Sequence, residues 1–295
     1  MSKRVIAYRS IDQFESVCRN VQHAARYMGQ DENDEAIYNP NPQYPVVQAK
    51  ATEKIHGTNG AVCYNTELGF WVQSKTAVLE IGKDNAGCAF ANTPLMPQWL
   101  DIIESLADEH GIDLNEKIIA VYFEWCGKGI QKSTAVEGLE KRSMIFSYFK
   151  VAPKEHSEDE ASIWLPTTVK GVPVSNEDVG IYHLENFPTW EFEINFAPHM
   201  AKMSQNAMVD LVLETIEPSS PVGEQFGIKG NVGEGAVFAF VFEDVLYQFK
   251  VKGSRHANKT CLRDFHTDVH TEARIIRFLK EQESTNFDFV FSTAP

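Results

Sequence analysis

The segment Lys54-Ile55-His56-Gly57-Thr58-Asn59 constrains this chain more than any other feature of its sequence. It joins two apolar stretches, residues 46–52 and 61–65, so we expect a turn between two strands. Gly57 allows the backbone to approach a ligand closely, and Thr58 and Asn59 add hydrogen-bonding side chains. A lysine in a pocket becomes a nucleophile once its amine loses a proton, and nearby cations favour that loss. The segment therefore predicts a strand–turn–strand unit that carries a reactive lysine, Lys54.

Three further patterns follow in order along the chain. Residues 118–127, I-I-A-V-Y-F-E-W-C-G, form an apolar run that ends in Glu124, and residues 233–240, G-E-G-A-V-F-A-F, place Glu234 between two glycines. In residues 247–252, Y-Q-F-K-V-K, Lys250 and Lys252 lie two positions apart, which puts both side chains on one face of a strand. Magnesium prefers carboxylate, water and phosphate oxygens, and lysines neutralise phosphate charge. The patterns together predict a phosphate-handling site.

This ordered set of four motifs resembles the covalent nucleotidyltransferase superfamily of polynucleotide ligases and RNA-capping enzymes, over residues 45–253. The K-I-H-G-T-N form of the first motif is most similar to the phage T4 RNA ligase 2 branch. The resemblance implies a nucleotidyltransferase (ATP-grasp-like ligase) fold of mostly antiparallel sheets flanked by helices. It also implies that Lys54 captures AMP covalently from ATP, and that Lys250 and Lys252 neutralise the α-phosphate during the reaction.

The resemblance also indicates which residues contact the nucleotide. Glu124 stands where the family contacts the ribose, and Phe149 falls where an aromatic ring stacks on the purine. Lys75 stands where arginine is usual, and lysine lacks the two-pronged grip of a guanidinium on phosphate. Glu234 and Glu124 are the expected ligands of Mg²⁺ or Mn²⁺. The expected nucleotide-binding residues are Thr52 and Glu53, whose backbone would read the base, with Ile55, Asn59, Lys75, Glu124, Phe149, Lys250 and Lys252.

Composition limits the class of protein. The 295 residues are 43% hydrophobic and 23% charged, which is ordinary for a globular domain. No run reaches the ~18 apolar residues of a membrane span, and the start of the chain lacks a secretory signal. Five cysteines without C-x-x-C spacing suggest free thiols, so a cytoplasmic location without a membrane partner is expected. The net charge of −14 opposes general nucleic-acid binding, so RNA contacts would depend on local basic clusters.

Hydrophobic periodicity predicts an α+β architecture. We expect Asp12 to cap the first helix and residues 29–45 to form a surface loop. Three regions are predicted: an N-terminal helical extension (1–44), an adenylyltransferase domain (45–253) and a short helical C-terminal tail (254–295). Helices are predicted over 11–28, 98–110, 199–217 and 268–282, and strands over 46–52, 61–65, 69–74, 117–125, 143–151, 235–242 and 245–252.

The favoured function is an ATP-dependent RNA ligase that seals 5′-phosphate and 3′-hydroxyl RNA ends through a lysyl-AMP intermediate and an adenylated 5′ end. DNA ligases and GTP-dependent capping guanylyltransferases are alternatives, but too few residues follow Lys252 for the five-stranded barrel they usually carry there. A non-catalytic nucleotide- or RNA-binding module is a further alternative, which the presence of all five polar motif residues disfavours. We expect a monomer, and the phage-like motif suggests viral RNA repair in the host-cell cytoplasm.

Overall fold

The computed structural model describes residues 2–155 and 162–256. The chain divides into two units, Met1–Gly253 and Ser254–Pro295, and the elements below belong to the first. The predicted helix over 268–282 and most of the acidic stretch that follows Lys154 lie outside the described residues. The division of the first unit at residue 45 stays a prediction.

Helices are interspersed among runs of consecutive, mostly antiparallel strands in the first unit, which confirms the α+β class. Short 3-10 turns lie at Ala135–Gly138, Glu177–Val179 and Leu184–Asn186, and a π-helical turn lies at Val212–Ile216. In chain order the elements are α1 (Phe14–Arg26), β1 (Tyr27–Gln30), β2 (Ala36–Tyr38), β3 (Val46–Glu53), β4 (Thr58–Asn65), β5 (Gly69–Ser74), α2 (Cys88–Asn92), α3 (Met96–His110), β6 (Lys117–Cys126), β7 (Arg142–Ile145), β8 (Tyr148–Pro153), β9 (Ile163–Pro166), β10 (Thr168–Val169), β11 (Val172–Pro173), β12 (Ile181–His183), β13 (Thr189–Asn195), α4 (Pro198–Leu211), α5 (Pro221–Gln225), β14 (Gly235–Phe242) and β15 (Val245–Lys252).

Two larger sheets build the unit. The seven-stranded sheet follows the path β12–β7–β6–β4–β5, with β8 paired to β6 and β9, and its pairs are antiparallel except β12 with β7. The four-stranded sheet has the order β13–β3–β14–β15 and is antiparallel throughout. Two small hairpins, β1–β2 and β10–β11, complete the strands of the described residues. The sheets are therefore mostly antiparallel, as expected, with one parallel pair.

Strand β6 is buried on both faces, so side chains of alternating direction enter two different apolar clusters. Ile119, Val121 and Phe123 pack with residues of α3. Ala120 and Tyr122 face the opposite side, where Ile6 of the N-terminal segment packs. Glu124 alternates in register with Ala120 and Tyr122. Its carboxylate therefore lies on the side of the sheet away from α3.

A separate apolar cluster lies on the four-stranded sheet, where α1 and α4 contribute Phe14, Val17 and Met208. This packing explains the amphipathic pattern that predicted both helices. Helix α4 ends at Leu211, and the predicted continuation to residue 217 is the π-helical turn. The opposite face of the sheet points toward the site described below.

The N-terminal segment differs from the sequence prediction. Helix α1 begins after Gln13, and Asp12 does not cap it. Asp12 instead pairs with β15, since its N–H donates to the Gln248 carbonyl at 3.2 Å and its carbonyl accepts from the Lys250 N–H at 3.2 Å. Residues 6–12, which we call the N-terminal bridge, thus run from the seven-stranded to the four-stranded sheet. The prediction of a helix start at Asp12 was wrong because a non-local strand contact takes up its backbone.

Two other local predictions also need correction. The region 29–45 is not only loop, because the β1–β2 hairpin occupies part of it. The predicted strand 143–151 is two strands, β7 and β8, separated at Phe146 and Ser147. None of the helices among the described residues has the length and apolar character needed to cross a bilayer.

Candidate active site

A cleft with about 520 Å³ of space, part of it open to solvent, is lined by residues of both large sheets. The four-stranded sheet, the seven-stranded sheet and the N-terminal bridge each contribute to its walls. The lining includes Tyr8, Ile11, Lys50, Thr52, Glu53, Lys54, Ile55, Glu124, Phe146, Ser147, Leu184, Val237, Ala239 and Gln248.

Strand register arranges the four-stranded sheet's contribution into three parallel rows. The first row is Lys50, Ala239 and Gln248, and the second is Thr52, Val237 and Lys250. In the third row Lys54 donates its backbone N–H to the Gly235 carbonyl at 2.8 Å, and Gly235 is paired with Lys252. Alternate residues of a strand share one face, so the period-two spacing of Lys250 and Lys252 does place both on one side.

Glu234 lies between two lysines in the third row. Its Oε2 is 2.7 Å from the Lys54 Nζ, and its Oε1 is 2.8 Å from the Lys252 Nζ. The Glu234 side chain is 3% exposed, whereas those of Lys54 and Lys252 are 20% and 35% exposed. Burial would raise the pKa of Glu234, but the two ammonium groups hold it below its usual value. Besides the expected cations, Lys54 therefore has a carboxylate in direct contact.

The N-terminal bridge holds the Lys250 side chain in place. Its Nζ donates to the Ile11 carbonyl of the N-terminal bridge at 3.2 Å. Burial lowers the pKa of Lys250, and the charges of Lys252, Lys54 and Lys75 lower it further. The structure thus brings Lys75 close enough to Lys250 for the two charges to interact, although the Lys75 side chain is exposed.

Glu124 comes from the seven-stranded sheet and closes the other side of the site. Its Oε1 accepts the Gly57 N–H at 3.0 Å, and Asn59 is its partner in the β4–β6 register. Burial raises the pKa of Glu124 to about 7, the charge of Lys54 and the Gly57 hydrogen bond oppose that rise, and Glu234 adds to it. The two glutamates therefore interact electrostatically.

Gly57 is needed for the packing of the turn against strand β6. A Cβ at Gly57 would lie 2.4 Å from the Trp125 carbonyl oxygen and 2.9 Å from the Glu124 Cγ. Glycine at this position thus permits a close approach to strand β6. Gly57 thus allows the turn over residues 54–59 to pack against the Glu124 side chain.

Two carboxylates are available to a divalent cation at this site. No group of three or more His, Cys, Asp or Glu side chains with metal-binding geometry occurs in residues 2–155 and 162–256. Glu124 and Glu234 nevertheless suit Mg²⁺ or Mn²⁺, since hard cations at phosphate sites commonly take one or two carboxylates and complete their shell with water and phosphate oxygens. The donor set fits a cation shared with a bound phosphate.

Phe149 does not reach the cleft. It is fully buried in the cluster that contains Trp99 and Val151, and the His110 ring packs 5.5 Å from it. Phe146, three residues earlier, lines the cleft. Phe146 packs in clusters away from α3, whereas Phe149 lies on the α3 side together with Ile145 and Val151. The assignment of the stacking ring to Phe149 is thus corrected, and Phe146 is the aromatic residue in position.

The Glu53 side chain has a structural role. Its Oε1 accepts from the Ser220 Oγ at 2.6 Å and its Oε2 from the Val222 N–H at 2.8 Å, which ties the end of β3 to the start of α5. Burial raises the pKa of Glu53 to about 7. Only its backbone remains for the expected contact with a base. Ile55 lines the cleft from an apolar cluster with Cys126, and Thr52 lies in the second row.

The sequence did not single out four polar residues of the cleft, which are Tyr8, Lys50, Ser147 and Gln248. Gln248 and Lys50 could have been found, because they continue the period-two series of Lys250 and Lys54. Lys50 is held by an ion pair of 2.9 Å between its Nζ and the Glu185 Oε2. Tyr8 and Ser147 gave no local signal, since each reaches the cleft through non-local packing or a strand break.

The known proteins that this chain resembles are solved structures of ligases. No protein-family profile and no curated protein matches the chain. Among solved structures, it is similar to a Naegleria gruberi RNA ligase with PPi (TM-score 0.47, 16% identity, 85% of this chain and 57% of that chain covered) and to a mutant of that ligase with AMP and Mn (0.45, 15%, 85% and 57%). It is also similar to an Aquifex aeolicus protein assigned as an ATP-dependent DNA ligase (0.39, 13%, 85% and 51%).

The chain thus spans a little over half the length of the structures it resembles. TM-scores below 0.5 do not establish a shared fold, so any functional conclusion depends on the geometry of the cleft.

Proposed function

We propose that this chain is an ATP-dependent RNA ligase of the covalent nucleotidyltransferase superfamily, in the phage T4 RNA ligase 2-like branch. Lys54 is the nucleophile, Lys250 and Lys252 are the other catalytic residues, and RNA with 5′-phosphate and 3′-hydroxyl ends is the substrate. The observation that carries the proposal is the shared ion pair of Glu234 with Lys54 and Lys252, at a cleft lined by both large sheets.

The reaction begins with a proton transfer and a substitution at phosphorus. The Lys54 amine must be neutral to attack, so it first gives up its proton to water and leaves its 2.7 Å contact with the Glu234 carboxylate. A bond then forms between the Nζ and the α-phosphorus of ATP, the bond from that phosphorus to the bridging oxygen breaks, and pyrophosphate leaves. Lysyl-AMP is the product.

The remaining residues neutralise charge and hold the nucleotide. Lys252 and Lys250 lie in adjacent rows along β15, so their ammonium groups can stabilise the negative charge that develops at the α-phosphate. Glu124 and Glu234 would hold a divalent cation, which when bound neutralises triphosphate charge. Phe146 would stack on the base, and Asn59 and Glu124 would contact the ribose.

Two further transfers complete the sealing of RNA. The AMP moves from Lys54 to a 5′-phosphate, which restores the amine and forms a 5′–5′ pyrophosphate bond. A 3′-hydroxyl oxygen then attacks the 5′-phosphorus, forms the phosphodiester bond and releases AMP. We propose that the chain acts as a monomer and takes part in RNA repair in a host-cell cytoplasm.

The first test is covalent labelling. The protein is incubated with magnesium and with ATP or GTP labelled at the α-phosphate, denatured, and examined for bound label. We expect label from ATP, and none in Lys54→Ala. Lys154→Ala is a matched control, because Lys154 also forms a close ion pair, 2.6 Å from Glu67, but outside the cleft.

The other outcomes separate the alternatives. Label from GTP alone would indicate a capping-type enzyme, and no label from either nucleotide would indicate a binding module. Sealing of nicked RNA duplex, nicked DNA duplex and single-stranded RNA ends is then compared with the same preparation. Sealing of DNA but not of RNA strands would contradict the proposed substrate.

A further inference from the structure

The N-terminal bridge contributes a buried tyrosine to the cleft that the proposed reaction does not use. The Tyr8 ring lines the cleft and packs against Phe146, with ring centroids 5.3 Å apart. Its hydroxyl donates to the Gln248 Oε1 at 2.9 Å. Both side chains are buried, with 9% of Tyr8 and 2% of Gln248 exposed. A polar side chain that lines a cavity can help to orient a ligand there.

The position of Gln248 along the sheet indicates which part of a nucleotide it would meet. Gln248 lies four residues from Lys252 on β15, and Lys50 lies four residues from Lys54 on β3. At about 3.3 Å per residue this separation is about 13 Å. That distance matches a nucleoside monophosphate laid along the sheet, with its phosphate at Lys54 and the far edge of its base at the first row.

The chemistry of the far end also suits a base. Phe146 and Tyr8 supply aromatic surface, and Gln248 supplies an amide that can read a base edge. Because the Tyr8 hydroxyl engages the amide oxygen, the amide NH₂ group is the part of Gln248 that remains to donate. The hydrogen bond in this structure thus corresponds to the amide orientation in which the NH₂ group can donate to a ligand.

The N-terminal bridge is anchored at both ends, which makes this orientation rigid. On the seven-stranded sheet, the Ile6 N–H donates to the Gln73 Oε1 at 2.9 Å, and the Tyr122 hydroxyl donates to the Ile6 carbonyl at 2.7 Å. On the four-stranded sheet, Asp12 pairs with the backbone on both sides of Phe249. The bridge thus holds Tyr8 between two fixed points.

We propose that Gln248 is a base-recognition residue whose NH₂ group donates to a ring-nitrogen acceptor of the purine, and that Tyr8 is the positioning residue that sets this donor. The inference rests on the proposed function and names the part of the nucleotide that the N-terminal bridge helps to read. It gives residues 6–12 a role in nucleotide selection.

The test measures how covalent self-labelling depends on ATP concentration. In Gln248→Met, which keeps the length of the side chain without a donor, we expect the KM for ATP to rise about tenfold with little change in kcat, because one buried hydrogen bond is lost. Tyr8→Phe removes only the hydroxyl and should raise KM by a smaller factor. Tyr64→Phe, on the α3 side of the seven-stranded sheet, is the matched control and should behave as wild type.

Nucleotide analogues identify the hydrogen bond itself. 1-Deaza-, 3-deaza- and 7-deaza-ATP each remove one ring acceptor, and we expect one of them to weaken the wild type but to cause no further loss in Gln248→Met. The inference is refuted if the analogues affect both proteins equally, or if Gln248→Met and Tyr8→Phe keep the wild-type KM.

Failure of the proposed function gives a different result. If the wild type takes up no label from any nucleotide, the ligase proposal fails. Equilibrium binding of ATP and the deaza analogues to Lys54→Ala, with and without Gln248→Met, then tests base recognition alone by calorimetry. Equal ATP affinity in the two proteins would refute the role of Gln248 whatever the outcome of labelling.

Discussion

Gly235→Ala should disable nucleotide transfer while leaving the fold intact. Gly235 lies between Lys54 and Lys252 in the third row, and its φ is +153°. A Cβ there would lie 2.1 Å from the Val251 carbonyl oxygen and 2.8 Å from the Lys252 Cα. Both of these neighbours are backbone atoms, so the clash cannot be relieved by a side-chain rotation.

The geometry sets the size of the effect. Real Cβ atoms almost never approach another heavy atom within 3.0 Å, so β14 and β15 must separate by about 1 Å near Lys252. A misplacement of about 1 Å among reacting groups can cost ~10²-fold in rate. Overpacking of this kind destabilises a protein by about 1–3 kcal/mol. We therefore expect a folded protein that labels about a hundred times more slowly.

The assay compares single-turnover labelling from ATP with thermal unfolding. Gly171→Ala is the matched control, because Gly171 also has a positive φ, +77°, but nothing within 4 Å of the added Cβ. Strain at Gly171 should cost about 1–2 kcal/mol without changing the labelling rate. A Gly235→Ala protein that labels at the wild-type rate would refute the importance of the spacing between Lys54 and Lys252.

Three further predictions concern the aromatic pair Phe146 and Phe149, the carboxylate of Glu234 and the buried Glu53. Phe146→Ala should raise the KM for ATP about tenfold with little loss of stability. Phe149→Ala should instead lower the free energy of unfolding by about 3–5 kcal/mol, as urea titration can show. The reverse pattern would restore Phe149 as the stacking ring. Glu234→Gln should reduce metal-dependent labelling by about 10²-fold, and a rate within twofold of wild type would contradict its role. Glu53 has a pKa raised from 4.5 to about 7, so its contribution to stability is complete below pH 4.5 and is lost as the pH rises through 7. Between pH 5 and pH 8 the wild type should lose up to roughly 3 kcal/mol that Glu53→Gln does not lose, and equal pH profiles would count against the burial argument.

Much of the site's framework could be predicted because it depends on strand periodicity. The strands predicted over 235–242 and 245–252 are β14 and β15 as found. The shared face of Lys250 and Lys252 follows directly from that periodicity. What the sequence could not give was the direct contact of Glu234 with Lys54, because it depends on the register between β3 and β14.

The errors have physical causes that are not local. Phe149 lies on the α3 side of the sheet and Phe146 on the other side, and which of these sides borders the cleft depends on how the two large sheets meet. The N-terminal bridge was invisible in the sequence, since its hydrogen bonds join Asp12 and Tyr8 to residues more than 200 positions away. Periodicity describes single elements, whereas these features depend on which elements meet.

Mapping of the covalent adduct tests the central claim most directly. The protein is incubated with magnesium and ATP, denatured, digested and analysed by mass spectrometry. We expect one peptide, the one that contains Lys54, to carry the added mass of a single adenylate, with release of AMP in acid as a phosphoramide requires. An adduct on another residue, or an unmodified Lys54 peptide after exposure to every ribonucleoside triphosphate, would contradict the proposal.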